Sequence, residues 1–294
     1  MRDRPVRENG GMTVSLLGAA EIRRLAAELD VTPTKKLGQN FVVDANTVRK
    51  IVQAAGVRAG ESVVEIGPGL GSLTLAILEA GARVTAVEID RRLAARLPAT
   101  VRAHGVPGDA LTVVEADALR VTELPGTPAV LVANLPYNVS VPVLLHFLES
   151  FPGIARGVVM VQAEVAERLA AKPGSKTYGA PSVKAAWYGP WQLSGTVSRQ
   201  VFWPVPNVDS LLVGFVRDPE PRGSEEERRR TFEIVDAAFN QRRKMLRQAL
   251  SGIFGSSSAA SEVLERAGVA PTSRGEDLAV ADYHRIARVA TGGA

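Results

Sequence analysis

Asn134-Leu135-Pro136-Tyr137 places an amide, a proline-stiffened turn and an aromatic ring in succession at the end of the apolar run 129–133. These are the parts needed to hold a flat exocyclic amine such as adenine N6. The lone pair of that amine is delocalised into the ring, so a site that uses it must localise it by accepting hydrogen bonds from its two N–H groups. The Asn134 side-chain oxygen and a backbone carbonyl of the turn have the polarity to do so. Tyr137 adds a π-face, and stacking a base on an aromatic ring is worth about 1–3 kcal/mol. Taken alone, the same four residues also read as an ordinary strand-to-loop turn.

The elements that must position this turn are legible upstream. Val63-Val64-Glu65-Ile66 reads as a short buried strand that runs into Gly67-Pro68-Gly69-Leu70-Gly71 and then a helical pattern over 73–78. Glycines there permit left-handed φ angles and a close backbone approach, in a ligand loop or in a tight turn alike. A second strand, 83–89, ends in Glu88-Ile89-Asp90, with Glu88 near the roughly 20-residue offset at which an acidic side chain takes ribose hydroxyls. A third, 111–114, runs into Glu115-Ala116-Asp117-Ala118, and the fourth delivers Asn134. Ligands bind outside the carboxyl ends of an open parallel sheet, so Gly67, Glu88, Asp117 and Asn134 are expected to line one crevice. Gly71 is followed by Ser72-Leu73-Thr74, so the third glycine of a dinucleotide fingerprint is missing. The pattern is closer to a sulfonium donor site than to a pyrophosphate cradle.

With these residues in view, the chain resembles the ribosomal RNA adenine N6,N6-dimethyltransferases that use S-adenosylmethionine, and within them the bacterial small-subunit branch. The matching segments run from Lys36-Leu37-Gly38-Gln39-Asn40-Phe41-Val42-Val43-Asp44 through the glycine turn and the Asn134 turn to Ser175-Lys176-Thr177-Tyr178-Gly179. They continue with Val201-Phe202-Trp203-Pro204-Val205-Pro206-Asn207-Val208-Asp209-Ser210 and Phe239-Asn240-Gln241-Arg242-Arg243-Lys244-Met245-Leu246-Arg247, so residues 35–285 are covered in the family's order. The resemblance implies an α/β fold, a Rossmann-like methyltransferase domain followed by a small all-α domain. It implies donor contacts at Asn40, Val42, Gly67, Glu88, Asp117 and Asn134, and a catalytic turn of Asn134, Leu135, Pro136 and Tyr137. Phe202 is expected as the second stacking plate, with Trp203 packing. The implied activity is dimethylation of two adjacent adenines of 16S rRNA during small-subunit maturation, with S-adenosyl-L-methionine as donor, no metal, and a monomeric enzyme. Asn207 departs from the family, where a basic residue is frequent.

Composition agrees. A chain of 294 residues with 46% hydrophobic content suggests one large domain and a smaller one. The absence of cysteine excludes disulfides and thiolate metal sites, and the three histidines, His104, His146 and His284, are scattered. Residues 1–11 are charged, without the apolar core of a signal peptide, and no apolar run approaches the roughly 18–20 residues of a membrane span; a cytoplasmic location is expected. The leader before Lys35 carries Leu16, Ile22, Leu25 and Leu29 at helical spacing. The domain reading is therefore an extension over 1–34, a methyltransferase domain over 35–217 and a helical domain over 218–294.

A net charge of +4 and a pI near 9.6 argue only mildly for nucleic acid. Placement of charge says more. The segment 217–224 carries two prolines and reads as a linker, after which Ser224 precedes Glu225-Glu226-Glu227 as a helix cap. Phe232, Val235, Phe239, Leu246 and Leu250 recur at helical spacing, which sets Arg243 and Arg247 one turn apart on a shared face. Arg242, Arg243, Lys244 and Arg247 are read as RNA phosphate contacts, the competing view being a solvated basic face. The stretches 261–268 and 277–289 predict further short helices, and the Ala-Ser repetition of 256–261 a flexible connection.

Three rivals remain at this level. A large-subunit rRNA dimethylase of the macrolide-resistance type shares the core, but the segment 175–179 and the helical domain weigh against it. DNA adenine methyltransferases usually carry a second proline where Leu135 stands. An idle RNA-binding assembly factor on the same fold has no need of intact Gly67, Glu88, Asp117 and Asn134.

Overall fold

The computed structural model describes residues 14–31 and 40–292. The motif residues Lys36 to Gln39 and the charged start 1–11 lie outside the described residues. In chain order the elements are α1 (Ala19–Glu28), β1 (Phe41–Val42), α2 (Ala45–Ala54), β2 (Ser62–Ile66), α3 (Ser72–Glu79), β3 (Arg83–Glu88), α4 (Arg91–Ala103), β4 (Leu111–Glu115) and β5 (Val130–Asn134). Then follow α5 (Ser140–Ser150), β6 (Arg156–Gln162), α6 (Ala163–Leu169), α7 (Ala180–Ala186), β7 (Trp191–Val197), β8 (Phe202–Trp203) and β9 (Ser210–Val216). The chain closes with α8 (Glu225–Asn240), α9 (Leu246–Ala249), α10 (Ser251–Phe254), α11 (Ser257–Arg266) and α12 (Val280–Ala290). Two compact units divide it: one holds the described residues up to Asn134 with Gln200–Pro206, the other Leu135–Arg199 with the residues from Asn207 onward.

In the first unit, β4, β3, β2 and β5 lie side by side in that order, all parallel. Val63, Val64 and Ile66 of β2 and Val130 to Ala133 of β5 are buried. Such near-continuous apolar strands are what a parallel sheet covered on both faces demands. β2, first of the four in sequence, has β3 on one side and β5 on the other, so the winding direction reverses there. That reversal is the topological switch point outside which doubly wound sheets bind ligands. The expected N-terminal helix is present as α1, with Ile22, Leu25 and Ala26 buried. β1 and β8 form a short antiparallel pair that sets Phe41 opposite Trp203 and Val42 opposite Phe202.

The second unit contains an antiparallel sheet with β9 between β6 and β7. Ser224 caps α8 by accepting from the Glu227 N–H at 3.2 Å, while the Glu227 carboxylate accepts from the Ser224 N–H at 2.7 Å. This reciprocal capping box is the helix start that the sequence predicts. α8 packs on α7 and α12, and the buried Tyr178 hydroxyl donates to the Leu278 carbonyl at 2.8 Å. All regular structure described after residue 224 is helical.

Three local expectations are corrected. The segment 217–224 is anchored: Arg217 donates to the carbonyls of Ile154 and Leu148, each at 2.7 Å, and the Asp218 N–H donates to Tyr188 at 2.9 Å. It belongs to the same compact unit as the residues on both sides of it, so the contact division lies elsewhere than the expected boundary at 217/218. The long basic helix is also interrupted. α8 stops at Asn240, the Lys244 N–H turns back to the Gln241 carbonyl at 2.8 Å, and the N–H groups of Leu246 and Arg247 bond to the carbonyls of Ser273 at 2.8 Å and Pro271 at 3.2 Å. Arg243 therefore sits in a turn and Arg247 in α9, on no common helix face. Finally, the Ala-Ser repetition is ordered, because Ser256 caps α11 by accepting from Ala259 N–H at 3.0 Å and Ala260 is buried.

Candidate active site

Gly67 follows β2 with φ +68°, and a Cβ built there meets no other atom within 4 Å. The space above it is open. Two residues on, Gly69 (φ +58°) has no such room: a Cβ would come 2.9 Å from Cε1 of Phe41, so the missing side chain lets β1 close on the loop. At the end of β3, Glu88 is 6% exposed. Its Oε2 accepts from the Gly69 N–H at 3.0 Å and its Oε1 from the Asp90 N–H at 2.9 Å. Burial pushes this carboxyl above its usual range, and the two N–H donors oppose that push. The carboxylate still has lone pairs for further donors.

Ile89 is 61% exposed beside it, an apolar side chain left uncovered next to a nearly buried acid. The Ala116 N–H donates to the Glu88 carbonyl at 3.0 Å, which ties the end of β4 to that of β3. Beyond it, Asp117 is half-exposed, accepts from the Leu119 N–H at 2.9 Å, and has Arg120 at 3.8 Å from Oδ2. At the end of β5 the Asn134 amide donates through Nδ2 to the Asn40 carbonyl at 3.0 Å. That bond fixes the orientation of the amide and leaves Oδ1 as an acceptor. Val42 is buried on β1, opposite Phe202. Within the first unit the fold thus joins Asn40 to Asn134, and Gly69 to Glu88.

Phe202 is only 2% exposed, so its ring has no open face, while Trp203 is half-buried and stacks on Phe41 with ring centroids 6.3 Å apart. The β1–β8 pair would have to open for Phe202 to meet a ligand.

The rest of the turn belongs to the second unit. The buried Leu135 donates its N–H to the Met160 carbonyl at 3.1 Å, and Pro136 and Tyr137 are half-buried. The Tyr137 hydroxyl lies 2.7 Å from Ser210 Oγ, and burial raises the phenol further above its usual range. Ser210 is buried at the start of β9, opposite Gln162 of β6 and Val197 of β7, so the tyrosine ring is tied to a strand held on both sides.

Of the four cations, Arg242 pairs with Glu276 at 2.7 Å and donates to the Lys176 carbonyl at 3.0 Å. Arg243 and Lys244 are exposed and Arg247 half-exposed, and none of the three forms an ion pair with a described residue.

Three residues of consequence, Ile89, Ser210 and Glu65, have no assigned role at the level of sequence. Ile89 and Ser210 stand inside motif segments whose other residues carry the signal. Glu65 is buried on β2, accepts from the Thr74 hydroxyl at 2.6 Å, and is pushed up to about 8, chiefly by burial. The available signal was a charge in the middle of an apolar strand. Among the described residues no group of three or more potential ligands could hold a metal ion, and no helix is long and apolar enough to cross a membrane.

The model of the family described as ribosomal RNA adenine dimethylase matches residues 32–291. The chain belongs to that family. Among curated members, it is similar to ribosomal RNA small subunit methyltransferase A of Leifsonia xyli, with 68% identity over 92% of this chain and 98% of the relative. The protein of the same name from Streptomyces coelicolor is 60% identical over 93% of this chain and 96% of its own. Among solved structures, a dimethyladenosine transferase from Plasmodium falciparum superposes with a TM-score of 0.71 at 23% identity, covering 83% of this chain and 94% of that one. The 23S rRNA methyltransferase ErmE superposes with a TM-score of 0.63 at 26% identity, covering 85% and 98%. The family's α/β methyltransferase fold is thus the fold of this chain.

Proposed function

We propose that this chain, a methyltransferase of the ribosomal RNA adenine dimethylase family, dimethylates N6 of two adjacent adenines in small-subunit rRNA, with S-adenosylmethionine as donor. The observation that carries the reading is the Asn134 amide, held by Asn40 so that its oxygen remains an acceptor at the carboxyl end of β5. Identity favours the small-subunit substrate over the large-subunit alternative, because the relatives bearing the small-subunit name stand at 68% and 60% and the 23S enzyme at 26%.

The residues present suit the donor. Open space over Gly67 suits a ligand that approaches the backbone, Glu88 retains acceptor capacity for ribose hydroxyls, Ile89 offers an apolar face for a purine, and Asp117 an acceptor for its amino group. Bound there, S-adenosylmethionine supplies a methyl group on a sulfonium that is already an activated leaving group. The work left to the chain is positioning. Asn134 Oδ1 accepts one N6 hydrogen, a backbone carbonyl of the turn accepts the other, and the lone pair turns out of the ring toward the methyl. Tyr137 stacks on the base. A weak acceptor or water takes the proton, since N6 becomes acidic only after alkylation. For the second transfer, the turn must leave room for one methyl group while keeping one N–H bond.

RNA contact is assigned to Arg243, Lys244 and Arg247 in the 218–294 region, with Arg242 serving to hold that surface together through Glu276. The enzyme is read as a monomer acting in the cytoplasm on the small subunit or its precursor. Mapping methylated adenines in small-subunit rRNA from cells with and without the protein tests the whole reading: two adjacent dimethyladenines should vanish without it, and an unchanged map rejects it. For the RNA surface, replacing Arg243, Lys244 and Arg247 together with Ala should flatten the dependence of log affinity on log salt by about one unit for each lost phosphate contact. An unchanged slope would make them a solvated face.

A further inference from the structure

The N-terminal helix has no place in the chemistry above, yet a continuous series of hydrogen bonds joins it to Glu88. α1 lies antiparallel along α4, fixed at both ends. At its start, His104 Nδ1 stands 2.8 Å from the Ser15 carbonyl and Nε2 stands 3.3 Å from Glu21. Toward its end, Arg96 reaches Glu28 at 3.3 Å.

α1 closes on Asp30, which adopts a left-handed φ of +51°. The N–H groups of Asp30 and Val31 turn back to the carbonyls of Ala27 at 3.1 Å and Ala26 at 2.8 Å, the pattern of a Schellman turn with aspartate in the glycine position. The carbonyls of Leu29 and Asp30 are left over, at the helix end that carries partial negative charge. Arg92 Nη1 donates to both, at 3.4 Å and 2.9 Å.

The same guanidinium engages the Asp90 carboxylate through Nε at 3.3 Å and Nη2 at 3.0 Å, and the Arg92 N–H donates to Asp90 Oδ1 at 2.9 Å as the cap of α4. Asp90 in turn donates its N–H to Glu88 Oε1. Only a rigid, planar fork of donors serves a helix end and a carboxylate at once; a lysine in this position has one nitrogen to divide between them. Simple adhesion of α1 does not need Arg92, since Ile22, Leu25 and Ala26 are already buried.

We infer that Arg92 is a positioning residue through which the N-terminal helix holds the Asp90 turn, and with it the Glu88 carboxylate, in the orientation that receives the donor's ribose. The inference rests on the assignment of Glu88 to the donor.

The test is calorimetric titration of the full chain with S-adenosylhomocysteine, comparing wild type, Arg92→Met, Arg92→Lys, Glu88→Gln and the double variant Arg92→Met/Glu88→Gln. Both Arg92 variants should weaken binding about threefold to tenfold, the effect of one hydrogen bond to a charged group at a largely exposed pair. In the Glu88→Gln background, Arg92→Met should cost nothing further. Amide hydrogen exchange at Asp90 should quicken in Arg92→Met while the amides of α1 keep their protection. Unchanged affinity in the Arg92 variants, or an equal loss in both backgrounds, overturns the inference alone. Unchanged affinity in Glu88→Gln by itself overturns the donor assignment of Glu88 and the inference with it.

Discussion

β2 and β5 run side by side, with Ile66 opposite Ala133, and the chain leaves them in opposite ways. After β2 it sheds side chains, with Gly67, Gly69 and Gly71 among five residues, which leaves open space over Gly67 and lets Phe41 pack against Gly69 and Leu97 against Gly71. After β5 it adds them, an amide, a leucine, a proline and a tyrosine, with the amide bonded to Asn40, the leucine N–H to Met160 and the tyrosine hydroxyl to Ser210. The first arrangement suits a ligand that must be accommodated. The second suits one that must be oriented to within a fraction of an ångström, because a lone pair has a direction and a ribose hydroxyl can rotate.

The contrast breaks if losing the oriented amide proves mild. Asn134→Ala should lower single-turnover methyl transfer on small-subunit particles about a hundredfold to a thousandfold, the range for removing one preorganised polar group from a transition state, with RNA still bound. A near-wild-type rate would sink the mechanism.

A second, smaller effect concerns the strand beneath the stripped loop. Glu65 is held protonated up to about pH 8 in the fold, against 4.5 for the free side chain. The folded state therefore binds the extra proton between those values, and stability declines as pH rises through the window, at no more than about 1.4 kcal/mol per pH unit. Glu65→Gln, which can still accept from Thr74, should flatten the fall of the melting temperature between pH 5 and 8. A variant with the same pH profile as wild type would show that Glu65 ionises freely.

Next comes Glu88→Ala, which should weaken donor binding by about 1.5–3 kcal/mol, roughly tenfold to a hundredfold, with RNA affinity untouched. Calorimetry with the donor alone decides it, and an unchanged dissociation constant removes Glu88 from the site.

The smallest effect separates the ring of Tyr137 from its hydroxyl. Tyr137→Phe keeps the stacking plane and loses the tie to Ser210, which is worth about 0.5–1.5 kcal/mol. Ser210→Ala should slow transfer by the same few-fold factor, and the double variant no further, if orientation of the plane is all the hydroxyl contributes. Additive losses would give Ser210 a separate role.

The parallel strands were legible because each is a short apolar run punctuated by a turn, and the polar residues at their ends were legible because chemistry has few uses for them elsewhere. What escaped was decided at a distance. The break in the basic helix depends on carbonyls of Pro271 and Ser273, and the ion pair of Arg242 on Glu276, 34 residues away. Local periodicity contains neither. Ser210 escaped for a similar reason, since its partner lies 73 residues earlier. For 256–261 the error was one of weighting: small polar residues read as slack, whereas a serine cap and a buried alanine are enough to start a helix.

The two amides that hold Glu88 have a thermodynamic consequence. A free glutamate that must be immobilised to bind a ligand loses conformational entropy, at a cost of about 0.5–1.5 kcal/mol for a side chain of this kind. Glu88 has already lost that freedom on folding, because Gly69 and Asp90 grip one oxygen each. The entropy is charged to the stability of the fold and not to association, so a ligand arriving at β3 meets a carboxylate with nothing left to order.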